Sequence, residues 1–117
     1  MKEYILLFRG GSAERTVLSP EQIEAHMKRW QTWIGSIAQN GKLVGAQPLT
    51  NDGKILKGRS KKLSDGPFVE GKEILGGYVI VKADNFDEAL HISADCPNLE
   101  FESGTVEVRE IGTMTAM

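Results

Sequence analysis

Few residues in this chain have a side chain able to move protons or grip a ligand near neutral pH, and His26 is the clearest of them. An imidazole titrates close to neutrality, so facing a cleft it could act as a general base. His26 lies between Ala25 and Met27, one helical turn before Trp30 and two before Trp33. At the border of an apolar face it could equally be a partly exposed structural histidine. Arg9 could hold an anionic ligand with its planar guanidinium. Trp30 and Trp33 could stack on a flat ligand; Trp30 lies in the main apolar stripe, and Trp33 borders it. Asp65-Gly66-Pro67 is turn chemistry, but Asp65 could also face a cleft that Phe68 walls. Asp95 ends a helix, where the dipole disfavours an acid. Cys96 has no evident activator and reads as packing.

The same inventory excludes other chemistry. Two histidines and one cysteine, far apart in sequence, offer no ligand pair at the spacing of known metal sites. There is no G-x-G-x-x-G, no P-loop and no G-x-S-x-G turn. The expectation is no metal and no cofactor. Fourteen basic against sixteen acidic residues, a net charge of −2, give no reason to expect a nucleic-acid or membrane surface. The N-terminal apolar run Tyr4–Phe8 is too short for a signal-peptide core or a membrane span. With a single thiol, the expectation is a cytoplasmic protein. At 117 residues and 40% hydrophobic content, the chain reads as one domain, 1–117, with one core.

Tyr4–Phe8 reads as a buried strand that stops at Gly10-Gly11. Ser19-Pro20-Glu21-Gln22 opens a helix with a capping box, and Ile23, Met27, Trp30, Ile34 and Ile37 then recur at the period of one buried face. Asn40-Gly41 stops it. A short strand follows at Leu43-Val44. A hairpin-like insertion around 47–68 comes next, with Lys54–Lys57 and Ser60–Leu63 as its arms. Ile74–Val81 is the next strand, with a bulge or close approach expected at Gly76-Gly77. Asn85 and Glu88 cap a second helix, whose inner face carries Phe86, Ala89, Leu90 and Ser93, and Pro97 closes it. Thr105–Ile111 alternates as a strand, with Val106 and Val108 on one side and Glu107 and Arg109 on the other.

A β-α-β-β-α-β order of this size predicts an α+β, ferredoxin-like split βαβ antiparallel sheet with two helices on one face. Tyr4, Leu6 and Phe8 alternate with Ile5 and Leu7, so both faces of the first strand are apolar. Only one face has helices to cover it. The expected remedy is a second copy packed sheet to sheet, a homodimer.

The run Ser64-Asp65-Gly66-Pro67-Phe68-Val69-Glu70-Gly71-Lys72-Glu73-Ile74-Leu75-Gly76-Gly77-Tyr78 resembles the signature of the DGPF branch of the YciI-related family. That signature runs T/S-D-G-P-F-x-E-x-K-E-x-L-G-G-F/Y. The capped helix, Gly41-Lys42-Leu43 and Cys96-Pro97 before Val106-Glu107-Val108-Arg109 agree with it in kind. The resemblance implies a dimeric α/β barrel, a dimer of ferredoxin-like chains. It also implies a His–acid pair, carried here onto His26 and Asp95, with the carboxylate holding the ring's tautomer. Two readings follow: a small cofactor-free enzyme doing acid–base chemistry in a helix–sheet cleft, or a non-catalytic ligand-binding or regulatory module, sigma-factor-associated in some relatives. Arg9, Asp65, Phe68 and Trp33 are the expected contacts to a small-molecule ligand in either case.

Overall fold

The computed structural model describes residues 1–66 and 74–113. In chain order these form β1 (Lys2–Arg9), α1 (Ser12–Thr16), α2 (Pro20–Gln39), β2 (Leu43–Pro48), β3 (Gly53–Lys57), β4 (Lys62–Gly66), β5 (Leu75–Ala83), α3 (Phe86–Ser93), a 3₁₀ turn (Pro97–Glu100) and β6 (Thr105–Glu110). The main sheet is antiparallel in the order β2-β5-β1-β6, and among the described residues β3 pairs only with β4. With that hairpin set aside, the second, third, first and fourth strands lie side by side. This is the split βαβ arrangement, and the α+β ferredoxin-like fold is as expected.

Alternation builds the core. Tyr4, Leu6 and Phe8 of β1, with Val79, Val81 and Ala83 of β5, point to one face and are buried with Trp33 and Ile37 of α2, Ala89 of α3 and Cys96. Full burial of each large side chain contributes ~1.5–3 kcal/mol. The other face carries Ile5 opposite Ile80 and Leu7 opposite Tyr78, all only partly buried. Glu107 and Arg109 of β6 flank this apolar quartet. Gly76 is the extra residue of the expected bulge, since Phe8 pairs with Gly77 and Arg9 with Leu75.

The capping box at the start of α2 is complete: Ser19 Oγ accepts from the Gln22 amide at 3.1 Å, and Gln22 Oε1 accepts from the Ser19 amide at 2.8 Å. The buried stripe of α2 differs from the expected one. Ile23 and Met27 are 41% and 53% exposed, while His26, Trp33 and Ile37 are buried. The helical period is unchanged, but the stripe starts a turn later and is rotated by one residue. His26 and Trp33 are buried in place of Met27 and Ile34, and Trp30 and Ile37 are common to both. A ranking by polarity passes over a histidine whose ring nitrogens are both hydrogen-bonded, and such a ring costs little to bury. In α3, Phe86 and Leu90 are exposed, and Ala89 and Ser93 are buried. Asn85 Oδ1 caps the Glu88 amide at 2.9 Å as expected, but the Glu88 carboxylate turns to Lys42.

Two elements were not expected, α1 and the 3₁₀ turn, and Asn98 shows what the second one does. Buried in that turn, Asn98 donates from Nδ2 to the carbonyls of Arg9 and Thr105, both at 2.9 Å. One amide thus ties the end of β1 to the start of β6. Gly10, at φ 78°, passes so close to the Ser103 carbonyl that a Cβ there would strike it. Asn98→Ala removes the donor shared by the two carbonyls, leaving Arg9 O the longer bond from the Thr105 hydroxyl at 3.4 Å, so a loss of about 1–3 kcal/mol is expected. Denaturant unfolding checks this, and Asn98→Asp should lose nearly as much, because it restores volume without the donor.

Candidate functional site

The structure distributes the candidate residues over four places. The first centres on His26, which is 3% exposed. Trp30, one turn on in α2, donates from Nε1 to His26 Nε2 at 2.9 Å. An indole can only donate, so Nε2 carries the lone pair and the proton sits on Nδ1. Nδ1 faces Glu100 Oε1 at 3.3 Å. Arg29 holds the same carboxylate, with Nε 2.8 Å from Oε2 and Nη2 2.7 Å from Oε1. Phe101 closes over the ring, its centroid 4.8 Å from that of His26. Arg29 above all, and His26 after it, hold the Glu100 carboxyl below its ordinary value of 4.5 against an opposing effect of burial. Both nitrogens of His26 are therefore engaged inside the protein, and the ring pins the 3₁₀ turn to α2.

The acid that meets His26 is Glu100, not the expected Asp95. α3 ends at Ser93, before the expected stop at Pro97, and Pro97 instead opens a new 3₁₀ segment. That segment folds back over α2 and delivers Glu100. The available signal was the pair Pro97 and Glu100, a proline followed by an acid within one turn, which is how helical segments open.

The second place is a cleft of about 220 Å³ between α2 and α3, lined by Trp33, Asn40, Lys42, Glu88, His91 and Asp95 among others. It brings together two residues singled out on sequence, Trp33 and Asp95. Trp33 is 7% exposed and donates from Nε1 to the Ile92 carbonyl at 3.0 Å, so most of its indole is core and only an edge reaches the cleft. Lys42 Nζ lies 2.6 Å from Glu88 Oε1 and keeps the Glu88 carboxyl below its usual range. The sequence reading passed over Lys42 and Glu88, which lie 46 residues apart.

Arg9 occupies the third place, the uncovered sheet face, where Nη1 donates to Glu107 Oε1 at 2.7 Å. Asp65 occupies the fourth, near the open end of the β3–β4 hairpin opposite Lys54, where its carboxylate accepts from Lys54 Nζ at 2.8 Å. Phe68 lies outside the described residues. Burial pushes the Cys96 thiol up to about 12, so it stays protonated and unreactive at neutral pH. Among the described residues, no cluster of three His, Cys, Asp or Glu side chains stands where it could hold a metal ion.

The sheet order and the helix-covered face define a ferredoxin-like domain. The model of the YCII-related domain matches residues 5–115, and the chain belongs to that family. It is 40% identical over 47 residues to an uncharacterized protein of Rhizobium meliloti (strain 1021); this match spans 40% of the chain and 38% of that protein, well under half of its length. Among solved structures it resembles 5-chloro-2-hydroxyhydroquinone dehydrochlorinase (TftG) from Burkholderia phenoliruptrix AC1100, in complex with 2,5-dihydroxybenzoquinone. There the identity is 14%, the TM-score 0.47, and the coverage 97% of each chain.

The lowered Glu100 pKa fixes a sign. A carboxyl more acidic in the folded than in the unfolded chain stabilises fully above its unfolded value and ceases to as pH falls through its folded value. Wild type should therefore melt a few degrees above Glu100→Gln near pH 7, and the gap should be narrower at about pH 3, below the ordinary carboxyl range. Thermal melts at both values check this; a gap that is no narrower at low pH rules the ionised pair out as its source.

Proposed function

We propose that this YCII-related domain is a homodimeric module that binds a small molecule in the α2–α3 cleft. The observation that carries this reading is the convergence of Trp33, Lys42, Glu88, His91 and Asp95 on one cleft of about 220 Å³. That volume matches about seven waters at ~30 Å³ each, enough for a compact ligand. Lys42 is committed to Glu88. Asp95 is then the acid offered to a ligand's cationic group, and the Trp33 edge and Ile92 supply an apolar wall. Two acids against one lysine leave the lining negative, which favours a small amine or zwitterion over an anion.

A second reading, acid–base catalysis at His26, has one observation in its favour. A carboxylate on Nδ1 and a lone pair on Nε2 is the arrangement of an oriented general base. It requires Trp30 to give up Nε2 and Phe101 to open the ring to a substrate.

Benzylamine is a suitable probe, its ammonium for Asp95 and its ring for the Trp33 edge. Titrated at millimolar concentrations, it should shift the amide resonances of Lys42, His91 and Asp95 and the Trp33 indole. Asp95→Asn should weaken it about tenfold, the loss of one charge-assisted contact. Shifts gathered at His26, Trp30 and Phe101 instead would move the site to the second reading, and silence at both places would retire the cleft.

The proposed dimer rests on the Ile5, Leu7, Tyr78 and Ile80 face, which no helix among the described residues covers. Packing it against a second sheet satisfies the burial that one row of helices leaves undone. Light scattering should give twice the chain mass for wild type and a monomer for Leu7→Lys, with the circular dichroism spectrum retained. Among the described residues no helix is long and apolar enough to cross a membrane.

A further inference from the structure

We infer that the β3–β4 hairpin is an arm that docks on a second copy of this chain. Every residue from 53 to 65 is exposed except Ile55. Leu56 and Leu63 are directly opposed in register, share one face, and are 67% and 60% exposed. Two strands alone are marginal in water and need a covering surface. The chain's radius of gyration, 15.9 Å, exceeds the roughly 13 Å of a compact domain of this size, as a projecting arm requires.

Charge says what covers the arm. Between Asp52 and Asp65 stand Lys54, Lys57, Arg59, Lys61 and Lys62, five cations against those two acids. The rest of the chain holds the remaining nine basic and fourteen acidic residues. The arm is thus net positive by three and the rest net negative by five. The cations are matched within the protein's own composition. A basic arm serving nucleic acid or an anionic bilayer has no need of an acidic body.

The body also offers a landing surface of fitting chemistry. Near the start of α3, Phe86 and Leu90 stand one turn apart and 45% and 52% exposed, although one edge of the Phe86 ring packs on Tyr4, and Asp84 and Asp87 are close by in sequence. Leu56 and Leu63 meet that apolar pair, and Arg59 and Lys61 of the hairpin turn meet the two aspartates. In a two-fold dimer the contact is made twice, once by each arm. The inference does not depend on the α2–α3 cleft and adds a contact separate from the uncovered sheet face.

Sedimentation equilibrium at low and high salt tests it on the full chain. The expected results are at least tenfold weaker self-association for Leu56→Ser/Leu63→Ser and for Arg59→Glu/Lys61→Glu. The wild-type constant should also weaken with salt, because exposed charges are screened within about 8 Å at physiological ionic strength. Adding Asp84→Lys/Asp87→Lys to the arm charge reversal should recover most of the loss. Unchanged self-association in both arm variants overturns the inference. So does a wild-type chain that does not self-associate, or arm variants that keep the dimer and lose only binding to phosphatidylglycerol vesicles. Loss without recovery overturns the landing on α3. Leu7→Lys serves as the control: if it leaves the dimer intact, the sheet-face dimer fails while the arm contact stands.

Discussion

The fold hangs on β1, which, like β5, has a neighbouring strand on each side. β5 and β6 are both registered against it, and its inward residues Tyr4, Leu6 and Phe8 form the floor on which both helices sit. Because side chains alternate along a strand, a one-residue slip would turn that floor outward and bury Glu3, Ile5 and Leu7. The register is therefore strongly fixed. It also fixes the opposite face, since Ile5 and Leu7 are outward whenever Leu6 and Phe8 are inward. The uncovered apolar quartet is a consequence of the same alternation that makes the core.

Apolar burial sets the layers, and a few polar contacts set how the connections lie on them. Asn98 ties β1 to β6. Glu14 of α1 accepts from the Ser103 amide and hydroxyl at 2.8 and 2.6 Å, and Ser103 Oγ accepts from the Gly11 amide at 2.9 Å. His26 and Arg29 hold Glu100. All three connect the segment between α3 and β6 to the rest. That segment adds Cys96 and Pro97 to the buried interior, and these hydrogen bonds fix how the rest of it lies. Tyr4 is the exception: its Oη is buried without a partner among the described residues, while its ring packs edge-on against Phe86 at 5.0 Å.

How much of this was legible in the sequence follows from the range of each signal. The strands, the capped start of α2, the bulge at Gly76 and the hairpin are written in contiguous residues, and periodicity or turn chemistry reveals them. The topology follows from element order. What stayed hidden depends on pairs brought together only by folding. Nothing local says that residue 100 rather than 95 returns to His26, or that Lys42 meets Glu88. The stripe on α2 shifted for a related reason: whether a histidine can be buried depends on partners elsewhere, here Trp30 within the helix and Glu100 far outside it.

The His26 cluster shows why residue identity alone does not define a site. An imidazole oriented by a carboxylate is a catalytic arrangement when its second nitrogen opens on a cavity, and a structural latch when that nitrogen is filled. Here an indole donor fills it, and indole has no lone pair to relay a proton. The free energy of the arrangement goes into holding the 3₁₀ turn, and with it Asn98, against the ends of β1 and β6. The cleft beside Trp33 draws its charged groups from Lys42 just before β2, from Glu88 of α3 and from Asp95 just after it, none of them part of that latch. The latch and the proposed ligand cleft share no residue, so the proposed binding can be altered without loosening the hold on Asn98.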